Sequence, residues 1–161
     1  MKTVRAFTLV ELMVTIAVLA ILATLAAPNL SQILKNTKVK TSSGEVLNFL
    51  QQARTEAIRL GEPVIVCASA DGTNCVTSNK TNWAIGIISK TMRSDANKDI
   101  SLQKLAFDHD ALVVTAPDAI AFNTVGSTNG RYEVIVSLSS ADISYICVEV
   151  IGRARKSKVE C

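Results

Sequence analysis

The residues able to do chemistry are few and poorly placed for catalysis. His109 is the single histidine of the 161 residues, so any proton-transfer site would have to be built around it. Asp108 and Asp110 flank it, yet adjacent positions of an extended chain point to opposite faces and cannot converge on one reacting atom. No Ser-His-Asp set can be assembled without this one imidazole. "GRARKS", near the C-terminus, does not satisfy the pattern of a phosphate-binding loop. "DANKDI" has the D-x-N-x-D opening of a calcium loop, but a loop starting at Asp95 carries Ile100 where glycine is needed and Ala106 where glutamate is needed. Cys67, Cys75, Cys147 and Cys161 lack the close C-x-x-C pair of a zinc site, and His109 has no companion. As disulfides they could pair in more than one way. The expectation is a protein with no catalytic activity, no metal and no cofactor.

Two charged features remain. Glu11 is the only ionisable residue in the 21-residue apolar run 7–27. As a helix that run spans about 31 Å, the thickness of bilayer hydrocarbon. A carboxylate there costs about 2 to 3 kcal/mol of insertion free energy unless a partner charge meets it. A plain anchor supplies no partner, and a cleaved secretory signal has a shorter apolar region. Lys2 and Arg5, ahead of the run, hold the N-terminus on the cytoplasmic side. The second feature is the tail "GRARKSKVEC", where Arg153, Arg155, Lys156 and Lys158 are opposed by Glu160. An extended chain places Arg153 and Arg155 on one face, with Lys156 and Lys158 on the other. Arginines so arranged can grip successive phosphates. The same charges also suit a solvated edge strand guarded against aggregation, and both readings stand. The net charge of +3 is too small to argue for nucleic acid by itself, so only such clusters count.

These residues must be positioned by two kinds of element. Residues 29–61 read as an amphipathic helix with Val46, Leu50, Ala53 and Ala57 on one stripe, widened by Leu47 and Ile58. Arg54, Glu56 and Arg59 fall on its polar face. Gly61 and Pro63 stop it. Ser42 and Glu45 could form a capping box that restarts a helix, so the expectation is a continuous helix with a weak point near Gly44. After Pro63 come "PVIVCASA", "WAIGIIS", "ISLQKLAF", "ALVVTA", "AIAFNTV", "RYEVIVSLS" and "ISYICVEVIG", all strand candidates. "DGTN", "SDANKD", "APD", "GSTNG" and "SAD" separate them as turns. A long helix followed by consecutive strands predicts an α+β fold, with the helix packed on an antiparallel β-sheet.

"RAFTLVELMVTIAVLAILATLAAPNL" resembles the class III signal and N-terminal helix of type IV pilins and type II secretion pseudopilins. In that family a prepilin peptidase cuts before the phenylalanine of an F-T-L-x-E motif and methylates the new terminus. The resemblance places the cut between Ala6 and Phe7, with Ala6 standing where the family has glycine. It implies an assembly role for Glu11, whose carboxylate would meet the Phe7 amine of a neighbouring subunit. Such a buried pair sets register more than it adds stability. Pro28 matches the family's helix-bending proline. Further on, "CASADGTNC", "NWAIGI", "AFNTVGSTNG" and "VIGRARKS" follow the order of the GspH/FimT family of minor pilins and pseudopilins, the last resembling the FimT/FimU type.

The organisation implied is a leader, 1–6, a membrane and filament-core helix, 7–28, and a periplasmic domain, 29–161, made of helix 29–61 and β domain 62–161. Beyond the inner membrane disulfides are expected, Cys67 with Cys75 across "ASADGTN" and Cys147 with Cys161 closing the tail. The function implied is that of a minor pilin that helps initiate type IV pilus assembly and enters the pilus. The alternative is an H-type minor pseudopilin of a type II secretion system. The partners implied are other minor and major pilins, the prepilin peptidase and, before assembly, the inner membrane. The GRxR pattern adds double-stranded DNA, contacted through Arg153, Arg155, Lys156 and Lys158 in natural transformation. No small-molecule substrate is implied.

Overall fold

The structure, a computed structural model, describes residues 7–92, 100–107, 111–139 and 141–161, and of residues 25–28 the backbone. The leader with Ala6, the Asp95 turn, His109 with its two flanking aspartates, and Ser140 of "SAD" lie outside the described residues.

Helix α1 runs from Leu9 to Leu60. Thr8 opens it: the backbone is extended and Oγ1 accepts the Glu11 N–H at 3.2 Å, satisfying one of the donors that a helix start leaves free. Gly61 closes it in the left-handed conformation. Leu9–Thr24 and Asn29–Leu60 meet at 45°, beside Pro28, which lacks the N–H that a straight helix would use. The bend therefore sits at the proline, and the helix runs unbroken through Gly44. No capping box forms there, because Ser42 is a buried residue inside the helix. Val46, Leu50, Ala53 and Ala57 are fully buried, as the stripe predicts, and Val39 and Phe49 extend it.

The strands form two antiparallel sheets rather than one. β1 (Val64–Ala68), β2 (Ile87–Thr91), β3 (Ser101–Leu105) and β5 (Ala119–Phe122) make the first, in the order β3-β2-β1-β5. β4 (Leu112–Thr115), β6 (Tyr132–Leu138), β7 (Ser144–Val148) and β8 (Ala154–Ser157) make the second, in the order β4-β6-β7-β8. Alternation decides which side chains enter the core. Val134, Val136 and Leu138 of β6 are buried, as are Leu112 and Val114 of β4, while Val113 and Thr115 are exposed. α1 packs on strands of both sheets and so is the shared wall of the core.

"WAIGIIS" is not a single strand. Trp83–Ile85 is a 3-10 turn, in which Asn82 Oδ1 accepts the Ala84 N–H at 3.2 Å and the Gly86 N–H closes on the Trp83 carbonyl at 3.1 Å. These local bonds replace the strand ladder. Trp83 is thereby buried, with Nε1 donating to the Pro117 carbonyl at 3.1 Å.

Candidate functional site

Among the described residues, two surfaces stand out as left without cover from the rest of the chain. The first is the N-terminal half of α1. Eleven large apolar residues between Phe7 and Leu22 are at least half exposed, whereas from Val39 onward the same helix buries its stripe in its own domain. Fully covering one such side chain contributes about 1.5–3 kcal/mol, so this half of the helix is made for surroundings the chain does not supply. Glu11 stands in its first turn. Among the described residues its carboxylate meets no hydrogen-bond or ion-pair partner. No single helix among them is long and apolar enough to cross a membrane, but Leu9–Thr24 and Asn29–Leu60 together are, by length and composition.

The second surface is the free edge of the β8 sheet. β8 pairs with β7 in a register that sets Ala154 against Val148, Arg155 against Cys147 and Lys156 against Ile146. Ala154 is buried, so Lys156 shares its inward side and Arg155 takes the outer one. This parity divides the basic cluster. Lys156 Nζ donates to the Lys40 carbonyl of α1 at 3.0 Å, and partial burial draws its pKa below the usual lysine value. Gly44 leaves room for it: a β-carbon there would lie 3.3 Å from Nζ. On the outer side, Arg155 Nε lies 3.3 Å from Glu149 Oε1. Arg153 and Lys158 are exposed on either side of the strand. Arg131, which sequence reasoning did not single out, joins Arg155, Glu149 and Cys161 around a cavity of about 70 Å³. No local motif could have found it, because pairing across strands brings it there.

The tail is held at both ends. Disulfides join Cys67 to Cys75 and Cys147 to Cys161, with Cα separations of 5.6 and 5.5 Å. The second ties the C-terminal residue to β7, and the Cys161 N–H donates to Glu133 Oε2 at 2.7 Å. The first closes a turn organised by Asp71, whose Oδ1 accepts the Asn74 and Thr73 N–H groups at 2.8 Å each. Those backbone bonds hold the Asp71 carboxyl far below the usual carboxylate range.

At the other end, the turn between β7 and β8 rests on α1. Arg54 does not stand on a solvated face: it is half-buried, and its Nε donates to the Gly126 carbonyl at 2.9 Å. Gly152 has φ +75°, and a β-carbon there would fall 1.8 Å from that same carbonyl oxygen. Only glycine lets the two turns touch. The Thr128 N–H donates to the Val150 carbonyl at 2.8 Å, completing the junction. "VIGR" and "GSTNG" are thus two halves of one structure that aims β8.

The family model of type II transport protein GspH matches residues 43–152, and that of the prokaryotic N-terminal methylation motif matches residues 1–27. Two proteins named fimbrial protein, from Pseudomonas aeruginosa, are each 31% identical over 98 residues, which make up 61% of this chain and 58% of theirs. The chain therefore spans less than two thirds of the length of these curated relatives. Crystal structures of the type IV minor pilin FimU of Pseudomonas aeruginosa, in two space groups, resemble the fold with TM-scores of 0.61 and 0.56 at 16% identity. They cover 75% and 73% of this chain and 89% and 91% of their own. At that identity the likeness shows the fold alone.

Proposed function

This chain belongs to the GspH family, with a prokaryotic N-terminal methylation motif ahead of the GspH domain, and we propose that it serves as a minor pilin of the type IV pilus. The observation that carries the reading is the change along one helix, whose large apolar side chains are exposed between Phe7 and Leu22 and again at Leu30, Ile33 and Leu34, and which is buried in its own domain from Val39. Before assembly a bilayer covers the bare half, and afterwards the helices of neighbouring pilins do. Cleavage between Ala6 and Phe7 frees an amine, and the Glu11 carboxylate of the adjoining subunit receives it. In an apolar filament core an unmatched carboxylate is costly, so the pair admits the next subunit in one register. The protein then resides first in the inner membrane, single-pass with residues 29–161 in the periplasm, and later in the pilus fibre. Its partners are the prepilin peptidase and the other minor and major pilins, and its role is to help initiate assembly. Mass spectrometry of the membrane-extracted protein tests the processing. The expected chain begins at an N-methylated Phe7, and one beginning near Ala27 refutes the reading.

The description of the matching family favours a second reading, an H-type minor pseudopilin of a type II secretion system. Deleting the gene separates them: piliation is lost under the first, and protein secretion with pili intact under the second. The exposed Arg153, Arg155 and Lys158 support contact with double-stranded DNA in natural transformation. Lys156, held on the Lys40 carbonyl, has a smaller part in it.

A further inference from the structure

The junction that aims β8 also turns apolar side chains outward. The Gly126 N–H closes on the Asn123 carbonyl at 2.8 Å and the Gly152 N–H on the Glu149 carbonyl at 2.7 Å, so each glycine ends a tight turn. Val125 is a central residue of the first turn, and Val150 and Ile151 are the two central residues of the second. Turn centres ordinarily hold Gly, Pro, Asn, Asp or Ser, and a β-branched aliphatic supplies none of their chemistry. Because the two turn backbones touch, these side chains do not reach the core: Val125, Val150 and Ile151 are 70, 50 and 61% exposed. Ile58 of α1, itself half exposed, adjoins them, since its Cδ1 lies 2.6 Å from where a β-carbon on Gly126 would be. Four branched aliphatics thus share one exposed patch, about 27 Å along the helix axis past Lys40. A patch of this kind, bordered by polar residues, marks a site of association.

The patch is rigid before anything covers it. Asn123 Oδ1 accepts the Val125 N–H at 3.1 Å and the Ser127 N–H at 2.9 Å, and Arg54 braces the Gly126 carbonyl, so little freedom is lost on binding. Its border is basic. Arg54 and the exposed Arg153 adjoin it, while the carboxylates Glu56 and Glu149 are paired with Arg59 and Arg155. That charge decides the occupant. Two copies meeting patch to patch would set arginines against arginines. A copy stacked end to end would offer the exposed Lys38, Lys40 and Lys158 at the near end of its domain. Like charges so opposed exclude a partner. We propose that the patch receives the domain of a different pilin, through an apolar surface bordered by carboxylates. Parallel packing of the bare half-helices sets the far end of one domain toward the near end of the next, which is where that subunit stands. The inference rests on the filament reading given above.

The test uses the full chain in piliated cells. A benzophenone amino acid replaces Ile151 or, as a control, Val113, which is 49% exposed on the outer face of β4. Sheared filaments are irradiated, and mass spectrometry identifies the adducts, counted per chain recovered. Position 151 should cross-link to one other pilin, at a peptide carrying Asp or Glu, and position 113 should not give that adduct. Val125→Ser and Arg153→Glu should each lower its yield at least about tenfold, and Lys104→Glu, on β3 of the other sheet, should not. An adduct with a second copy of this chain, the same adduct from position 113, or none at all overturns the proposal. So does a yield indifferent to either substitution, or one that Lys104→Glu lowers equally. Filaments that contain the chain but give no adduct defeat the patch alone, whereas filaments that lack the chain defeat the filament reading and the patch together.

Discussion

Replacing Gly152 with alanine tests whether the two turns that aim β8 are one structure. At φ +75° an alanine carries a left-handed backbone cost of about 1–2 kcal/mol. Its β-carbon would also fall 1.8 Å from the Gly126 carbonyl oxygen, a backbone atom that no rotamer change can move aside. Retreat of that carbonyl stretches its 2.9 Å bond to Arg54 Nε, and a half-buried guanidinium left unpaired costs about 1–3 kcal/mol. Together these predict a loss of about 2–5 kcal/mol, a large share of the 5–15 kcal/mol typical of a domain. Gly44→Ala is the contrasting case. There the β-carbon meets only the mobile Lys156 Nζ at 3.3 Å, and helix propensity favours alanine by about 1 kcal/mol, so stability should hold or rise slightly. The assay is urea unfolding of a chain starting at Asn29, disulfides intact, followed by the fluorescence of Trp83, the sole tryptophan. With a slope near 2 kcal/mol/M, Gly152→Ala should lower the midpoint by about 2 M. A midpoint within about 0.3 M of wild type would refute the close approach of the turns.

Other expectations follow from the same contacts. Replacing Cys147 and Cys161 with serine opens a loop of sequence separation 14 and should cost about 3 kcal/mol in the same assay. A negligible loss would mean that the tail is held by its other contacts. Asp71, whose folded-state pKa is depressed, contributes stability that is complete above the unfolded value near 3.9 and is lost as pH falls. Asp71→Asn should therefore show a shallower loss of stability below about pH 4, and an unchanged acid limb would sink this assignment. Duplex DNA should bind weakly, with a salt slope of about −3 for three phosphate contacts. Arg153→Gln with Arg155→Gln should abolish most of that binding in a titration at two salt concentrations, and Lys156→Gln should matter least; the reverse order would contradict the division of the cluster by strand parity.

What was legible in the sequence was local. The stripe Val46, Leu50, Ala53 and Ala57 predicted the packed face of α1, and "RYEVIVSLS" was legible as a strand. The α+β class followed from the order of the elements. The split into two sheets did not, because strand partners are set by long-range pairing that turn chemistry does not encode. Trp83 misled for another reason: an aromatic beside Ile and Gly reads as strand, and the Asn82 cap that bends it into a turn acts over two residues. Arg54 was read from helical parity as part of a polar face, and strand parity set Lys156 opposite Arg155 without naming a contact for it. Their partners, the Gly126 and Lys40 carbonyls, lie 72 and 116 residues away in sequence. The two glycines opposite these junctions, Gly152 and Gly44, were read as the end of a strand and a weak point of the helix. They are the positions where another element comes close.

The central claim is that Glu11 lets the bare half of α1 leave the bilayer for a filament. It is tested most directly by measuring, for wild type and for Glu11→Ala, how much of the membrane-inserted protein is recovered in sheared filaments. Removing one carboxylate from an otherwise apolar helix makes insertion easier, so the membrane pool of the variant should equal or exceed that of wild type. Without the partner for the Phe7 amine, its share in the filament fraction should fall at least about tenfold, the equivalent of a modest 1.4 kcal/mol per subunit contact. Recovery of Glu11→Ala in filaments at the wild-type ratio would contradict the account.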